Sequence, residues 1–386
     1  MTQMEECFDT VLVGGGLANA LVALALLERA PECRVALVEQ GARLGGNHTW
    51  SFHVADVPAY ARAYVDPLIE YRWPSYGVRF PRLARTLDDP YASFTSSRLH
   101  ESVAQAFSRS VNSKLVLGRR SIAIEHDRVL LDDGSVLRGD LVIDGRGPER
   151  FEPDAACRFQ KFVGLEVSLQ QPTPMREPLL MDACVSQAEG FHFMYVLPFE
   201  QQRVLLEATY FSDTPALNDD ELEQRIFSYA EKNGFAIDEV LRRERGVLPL
   251  PSVPPRRQAE RSPLVSGFQG GWFHPTTGYS FPAAVQLAEF VGERGPHAVF
   301  GEDFTRLLAS RARQQRYFCL PNRLWYGAFP PEQRFNVLER FYRLPAATIS
   351  RFFAMQTSAA DRARIICGPP PRGLSFTQIL STQSVS

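Results

Sequence analysis

The sequence predicts an α/β fold with a β-rich insertion and a helical C-terminal region. The first forty residues give a strand, a glycine turn, a helix and a second strand. Between residues 156 and 259 apolar segments have the length and alternation of strands, and the tail has helical spacing of aromatic residues. With 386 residues the chain is long enough for two or three structural regions around a sizeable core.

Composition excludes several classes of protein. The chain is 45% hydrophobic and 22% charged, with a net charge of −2, whereas a nucleic-acid binder is usually clearly basic. Its six cysteines are scattered without a C-x-x-C pair, and no spacing of His, Cys and carboxylates indicates a metal site. We therefore expect no nucleic-acid partner, no metal and a reducing cytoplasmic location.

Residues 10–27 carry no charge and have nearly the length of a membrane span. Acidic residues precede them, which is the opposite of a signal peptide's basic start, and three glycines interrupt the run. The apolar pieces on either side have different periods. This segment is therefore predicted to be a buried strand, turn and helix.

The turn in this segment resembles a dinucleotide-binding motif. Gly14 and Gly16 match the first two glycines of G-x-G-x-x-G, and Asn19 stands at the third position. The glycines let backbone amides approach a pyrophosphate at the start of a helix, which here begins with Leu17 and Ala18. We predict that Gly14, Gly16, Leu17 and Ala18 bind a dinucleotide.

Further residues favour FAD over NAD. Glu39 ends the second strand, where an acid can bind ribose hydroxyls. Gly45 and Gly46 follow it, as in many FAD proteins of the glutathione-reductase type. A later buried strand ends at Asp144 and Gly145 and resembles the strand that closes the FAD domain in hydroxylase-like flavoproteins.

Two more segments extend this predicted FAD site. Arg98 begins a helix, where hydroxylase-like flavoproteins often keep an arginine near the flavin phosphates; alternatively it is an exposed helix-start residue. Segment 267–291 is a Gly- and Pro-rich loop before an apolar helix, and such a loop directs amides at the flavin pyrimidine ring. The residues predicted to do so are Thr276, Thr277, Gly278 and Tyr279.

The predicted fold is therefore a glutathione-reductase/hydroxylase-type FAD-binding Rossmann domain with an inserted β-sheet substrate domain and a helical C-terminal region. Within the insertion we expect a hairpin around residue 201, a helix over 219–233 and a proline-rich connection at 247–255. The predicted boundaries are 1–60, 91–155 and 260–300 for the FAD domain, 61–90 and 156–259 for the substrate domain, and 301–386 for the C-terminal region.

The C-terminal region has 12 arginines, 5 acidic residues and 12 aromatic residues. One interpretation is a helical subdomain that packs its aromatic side chains inward. The other is a basic, aromatic-rich face that touches anionic lipid.

Three strings carry a resemblance that covers essentially the whole chain: "GGNHTWSFH" (45–53), "LLEATYFSDT" (205–214) and "GWFHPTTGYSFP" (271–282). They resemble bacterial lycopene β-cyclases, a family of FAD-dependent isomerases. The resemblance implies that lycopene, with linear ψ-ends, is converted through γ-carotene to β-carotene with its β-ionone rings. It also implies reduced FAD, NAD(P)H as reductant and no net redox change. Because lycopene dissolves only in lipid, peripheral membrane contact is expected.

The family's acidic motif, F-L-E-E-T, aligns with residues 205–209, so the resemblance implies Glu207 as the general acid. Ala208 stands where the family has a second glutamate, and the motif therefore supplies one carboxylate. Strand alternation places Glu207 on a face with apolar neighbours, although a solvent-facing Glu207 is the alternative. Aromatic residues that could stabilise a cation nearby are Phe193, Tyr195, Tyr210, Phe211 and Trp272 or Phe273.

His274 is either a proton acceptor or a residue that orders its loop, and His48 and His53 raise the same alternatives. Two other functions stay open. One is a redox flavoenzyme of the same fold, such as a hydroxylase or isoprenoid reductase. The other is a non-catalytic flavoprotein that binds a carotenoid.

Overall fold

The computed structural model describes residues 5–147, 156–187, 190–254, 261 and 263–367. The predicted domain boundaries at 155 and 260, and the stretch 368–386 of the predicted C-terminal region, lie outside the described residues. The division into domains stays a prediction.

Within the described residues, the strands lie between residues 5 and 265. In chain order they are β1 (Glu5–Val13), β2 (Val35–Glu39), β3 (Thr49–His53), β4 (Tyr71–Trp73), β5 (Tyr76–Phe80), β6 (Leu83–Leu87), β7 (Tyr91–Thr95), β8 (Lys114–Leu117), β9 (Ser121–Ile124), β10 (Arg128–Leu131), β11 (Val136–Asp144), β12 (Cys157–Leu169), β13 (Leu179–Asp182), β14 (His192–Glu200), β15 (Arg203–Ser212), β16 (Ile237–Pro251) and β17 (Leu264–Val265).

The helices flank these strands and form the C-terminal region. They are α1 (Leu17–Arg29), α2 (Arg62–Val65), α3 (Ser96–Arg109), α4 (Asp219–Lys232), α5 (Phe281–Arg294), α6 (Glu302–Ala328), α7 (Phe335–Phe341), α8 (Ala346–Phe353) and α9 (Ala359–Cys367). Within the described residues, no helix combines the length and apolar character needed to cross a bilayer.

The first sheet is the predicted Rossmann sheet. Its strand order is β8-β2-β1-β11-β10-β9, with β17 also paired to β11. The pairs β2–β1 and β1–β11 are parallel, and the helix α1 that connects β1 to β2 has no exposed residue over its first ten positions. Such burial on all sides explains the long uncharged run, because α1 packs between this sheet and α5. The strand–turn–helix prediction is confirmed.

The second sheet has the order β16-β12-β15-β14-β13-β5-β6. Strands β14 and β15 form the expected hairpin, and α4 occupies 219–232 as expected. The proline-rich connection predicted at 247–255 is wrong for its first half, because β16 runs through Pro249 to Pro251. The sheet tolerates these prolines since β16 is an edge strand, where one side of the backbone needs no ladder hydrogen bonds.

The two faces of β15 are both covered. Val204, Leu206 and Ala208 pack with apolar residues of α4, while Leu205 and Phe211 pack towards the C-terminal helices. These helices turn most of their aromatic rings inward, including the buried Phe318, Trp325, Phe341, Tyr342 and Phe352. This arrangement favours the inward-packing interpretation of the tail and places its helices against the open face of the second sheet.

Candidate functional site

The glycine turn between β1 and α1 has the form of a phosphate-binding cradle. Gly14 has φ +92°, and a Cβ there would lie 2.8 Å from the backbone of Gly145. Among the described residues, nothing lies within 4 Å of a Cβ on Gly16, and no side chain caps the first amides of α1, which starts with Leu17 and Ala18. These features leave room and hydrogen-bond donors for a pyrophosphate.

Glu39 and the second glycine pair lie beside this turn. The Glu39 carboxylate accepts hydrogen bonds from the amides of Gly15 (2.7 Å) and Gly41 (2.8 Å). The amide of Gly45 donates to the carbonyl of Gly15 at 2.9 Å, and both Gly45 and Gly46 have positive φ. The structure therefore brings these sequence-predicted residues together at the carboxyl ends of β1 and β2.

Asn19 replaces the third glycine of the motif and has a role that the pattern did not indicate. Its amide nitrogen donates to the carbonyls of Val13 and Gly14, and its oxygen accepts from the Ser266 hydroxyl at 2.8 Å. Gly145, after Asp144 at the end of β11, packs directly against it, and a Cβ at Gly145 would clash with the Asn19 amide. Asn19 thus joins three segments of the predicted cofactor site.

The hydrogen bonds that hold Arg98 join it to Pro67 and Thr95, which lie outside the glycine turn. Its guanidinium donates to the carbonyl of Pro67 at 2.7 Å, and its amide is capped by the Thr95 hydroxyl. These contacts suit the helix-start alternative, and a contact of Arg98 with flavin phosphate stays a prediction.

The loop before α5 holds Thr276, Thr277, Gly278 and Tyr279 at one end of a cavity. His274 orders this loop: its Nε2 lies 3.0 Å from the carbonyl of Phe352, and its Nδ1 accepts from the Thr276 amide. Burial lowers the pKa of His274 to about 3, so the ring is neutral. Both ring nitrogens are engaged, which favours loop ordering over proton acceptance.

The cavity has a volume of about 370 Å³ and extends from this loop, past β14 and β15, to the C-terminal helices. Phe193, Tyr195 and Phe211 line it, as expected. Tyr210, Trp272 and Phe273 are not in its lining; Tyr210 points to the opposite face of β15 because neighbouring residues of a strand alternate. His48, His53, Trp50 and Trp325 also border the cavity.

Glu207 projects into this apolar cavity. It is half-buried because one side borders the cavity, and its Oε1 accepts a hydrogen bond from the Thr209 hydroxyl at 2.6 Å. Burial, together with the negative charge of Glu244, raises the pKa of Glu207 to about 8. This environment favours the protonated, neutral form of the Glu207 carboxyl group.

Glu244 is the residue that sequence reasoning missed. It also lines the cavity, is buried, and accepts hydrogen bonds from Arg242 (2.6 Å) and Thr49 (2.8 Å). In the sequence it stands in "RRERG", a charged run typical of a solvated surface. Glu244 reaches the cavity because β16 pairs with β12, and no pattern in the local sequence predicts that pairing.

A Rossmann-type sheet with a glycine turn, together with a sheet-lined cavity, is the architecture of the fold shared by flavin-dependent monooxygenases and reductases. A geranylgeranyl bacteriochlorophyll reductase-like protein from Thermoplasma acidophilum has a TM-score of 0.63 at 10% identity, with 98% of this chain and 100% of that chain covered. PqsL of Pseudomonas aeruginosa, a probable FAD-dependent monooxygenase, has a TM-score of 0.59 at 15% identity, with 86% and 98% covered.

Sequence comparison gives the family. The lycopene cyclase protein family model matches residues 9–378. The lycopene β-cyclase of Pantoea ananas is 36% identical, covering 95% of this chain and 96% of that protein, and the one of Pseudescherichia vulneris is 37% identical, covering 94% of each. The chain belongs to the lycopene cyclase family.

Proposed function

We propose that this chain is an FAD-dependent lycopene β-cyclase, an isomerase that closes the linear ψ-ends of lycopene to β-ionone rings. The product is β-carotene, formed through γ-carotene, and the reaction uses reduced FAD with NAD(P)H as reductant. The names of the bacterial relatives support the substrate and product. The observation that carries the proposal is the position of the Glu207 carboxyl group, whose pKa is raised, in a cavity lined mainly by apolar and aromatic residues.

Cyclisation begins when a proton is added to the terminal alkene, which gives a tertiary carbocation that the next double bond attacks. An ordinary glutamic acid has a pKa of 4.5 and is mostly ionised at neutral pH. Glu207, with a raised pKa, keeps the proton until an alkene lies against it. The rings of Phe193, Tyr195 and Phe211 line the same space and each can stabilise a cation by up to ~2 kcal/mol when water is excluded.

A flavin dinucleotide fits the residues present. Gly14 and Gly16 leave space at the start of α1, and Glu39, whose carboxylate lies beside this turn, would bind a ribose. Thr276 and Gly278, which line the cavity that contains Glu207, would contact the other end of the cofactor. When bound, reduced FAD would supply negative charge beside the cation.

An assay with purified protein distinguishes the proposed reaction from the two alternatives, a redox flavoenzyme and a non-catalytic carotenoid-binding flavoprotein. Incubated anaerobically with lycopene and chemically reduced FAD, it should form β-carotene without net flavin oxidation. Oxidation of one flavin per ring would instead identify a redox flavoenzyme. Pigment analysis after expression in a lycopene-accumulating bacterium is the matching test in cells.

The variant Glu207→Gln should abolish ring formation while FAD stays bound, because an amide cannot donate the proton. Glu200→Gln is the matched control, since Glu200 is exposed at the end of β14. An active Glu207→Gln variant would remove Glu207 as the acid. If the wild type forms no product, the protein is not a cyclase, and the carotenoid-binding alternative is favoured.

Peripheral membrane contact is the second part of the proposal. Val337, Leu338 and Ile365 line the end of the cavity formed by α7 and α9, and Ile366 beside them is exposed. A substrate dissolved in lipid could enter the cavity between these helices.

Flotation with anionic liposomes tests this contact. The wild type should float at low salt, and Ile366→Glu should float less because a charge would enter the lipid interface. Val111→Glu, which changes an equally apolar exposed residue between α3 and β8, should float like the wild type. A wild-type protein that stays at the bottom contradicts the contact.

A further inference from the structure

Glu244 and Glu207 occupy one row of the second sheet. In the register of β12, Gly164 pairs with Glu207 of β15 on one side and with Glu244 of β16 on the other. Residues opposite each other in neighbouring strands point to the same face, so both carboxyl groups point towards the cavity that they line. Two strand spacings put their Cα atoms about 10 Å apart.

Gly164 leaves the space between the two carboxyl groups open. A Cβ at this position would lie 2.9 Å from Cγ of Glu244 and 3.3 Å from a methyl group of Leu205. Any larger residue would push Glu244 out of its place. The row thus has two acids with no side chain between them.

The charges around Glu244 differ from those around Glu207. Arg242 donates to Glu244 at 2.6 Å and is itself held by Glu166 at 2.8 Å, and the Thr49 hydroxyl adds a second donor to Glu244. Burial raises the pKa of Glu244, but Arg242 and Thr49 act against that rise. His48, also in the lining, has a pKa lowered by burial and by the charge of Arg242.

Among the described residues no cation pairs with Glu207; its hydrogen-bond donor is the Thr209 hydroxyl. One negative charge between the two acids therefore resides on Glu244, which is paired with Arg242, and the proton resides on Glu207. When the environments of two neighbouring acids differ in this way, one acts as acid and the other as base.

We propose that Glu244 is the base that completes each ring closure, an inference that rests on the proposed function. Glu207 gives its proton to C2 of the ψ-end, and the C5=C6 double bond attacks C1 to form the C1–C6 bond, leaving the positive charge on C5. The Glu244 carboxylate removes the proton from C6, and the electrons of that C–H bond form the new C5=C6 double bond.

The reaction balances without an oxidant or reductant. After ring closure the proton that left Glu207 is in the product and the proton from C6 is on Glu244. Transfer of one proton from Glu244 back to Glu207 restores the starting state. The charge at C5 can also be lost by deprotonation at C4 or at the methyl group, which gives ε- or γ-ends, so the position of the base selects the β-end.

The experiment compares Glu244→Gln, Glu244→Asp and Glu166→Gln in the purified, flavin-loaded protein under anaerobic conditions. Chromatography of the products measures the shares of β-, ε- and γ-ends, and rates are taken between about pH 5 and pH 9. Glu166→Gln is the matched control, because it removes a buried partner of the same Arg242 without changing a cavity-lining residue. Bound FAD and a cooperative melting transition show that each variant is folded.

Glu244→Gln should lose roughly 100-fold or more in rate, as expected for loss of a general base. Its remaining product should contain ε- or γ-ends. The alkaline limb of its rate profile should move to lower pH, because the charge that raises the pKa of Glu207 has gone. Glu244→Asp keeps a carboxylate and should make mainly β-ends at a reduced rate.

Three outcomes would overturn the role of Glu244. They are unchanged rate and β-ends in Glu244→Gln, complete inactivity of that folded variant at every pH, or the same product mixture from Glu166→Gln. Failure of the proposed function is a different result, in which the wild type itself forms no ring.

Discussion

The raised pKa of Glu207 predicts a change in stability that needs no substrate to measure. In the unfolded chain this carboxyl group has an ordinary pKa of 4.5, and in the folded protein burial and the charge of Glu244 raise it to about 8. Between these two values the folded state holds a proton that the unfolded state has released. Folding stability therefore falls as the pH rises from 4.5 to about 8 and then becomes constant.

The size of this effect follows from the two pKa values. At ~1.4 kcal/mol per pH unit, the interval from 4.5 to about 8 gives a ceiling of roughly 5 kcal/mol. Glu207 borders the cavity, so water reduces the penalty for its ionised form, and we expect about 2 kcal/mol. For a chain of 386 residues that is two to three degrees in Tm, at ~1.2 °C per kcal/mol.

The assay is the Tm of the flavin-loaded, substrate-free wild type and of Glu207→Gln across this pH interval. A glutamine cannot titrate, so the wild type should lose a few degrees relative to the variant from about pH 5 to pH 8.5. Glu200→Gln, which changes an exposed carboxylate, should follow the wild type throughout. A difference between wild type and Glu207→Gln that stays constant, or that grows in favour of the wild type at high pH, would refute the raised pKa.

Three other substitutions test particular contacts. Gly145→Ala would place a methyl group 2.5 Å from the Asn19 amide, so the protein should lose bound flavin, which absorbance after gel filtration measures. Asp361→Asn removes the charge of a buried carboxylate that accepts hydrogen bonds from Arg351 and Thr348, so it should cost roughly 2 kcal/mol and expose α8 and α9 to limited proteolysis. Ala208→Glu restores the family's second glutamate but puts a charge in the apolar layer under α4, so soluble expression should fall without any gain in cyclisation.

The parts of the fold that the sequence predicted are those with local signals. The uncharged run at 10–27 predicted a buried strand and helix because α1 is enclosed on all sides. The hairpin between β14 and β15 followed from two apolar segments separated by three polar residues. In both cases the residues that determine the structure are neighbours in the chain.

Asn19 shows where a motif misleads. Against the glycine template it is a mismatch, but its amide bonds to Val13 and Gly14 and its oxygen to the Ser266 hydroxyl. Ser266 is far along the chain, so the sequence near Asn19 does not contain the information that explains it. The motif states which residue is usual at a position, but it does not predict which contacts a different residue makes there.

The carboxylate pair is the clearest case of this limit. The motif at 205–209 led to Glu207 alone, and Ala208 argued against a second acid nearby. In the structure Ala208 faces α4, on the side of β15 away from the cavity, so a glutamate there could not have paired with Glu207. The second acid comes instead from a charged stretch on an edge strand, brought opposite Gly164 by the register of β12 and β16. A one-residue slip in that register would turn Glu244 away from the cavity. The chemistry of this site therefore depends on strand pairing over long range as much as on the residues that the motif contains.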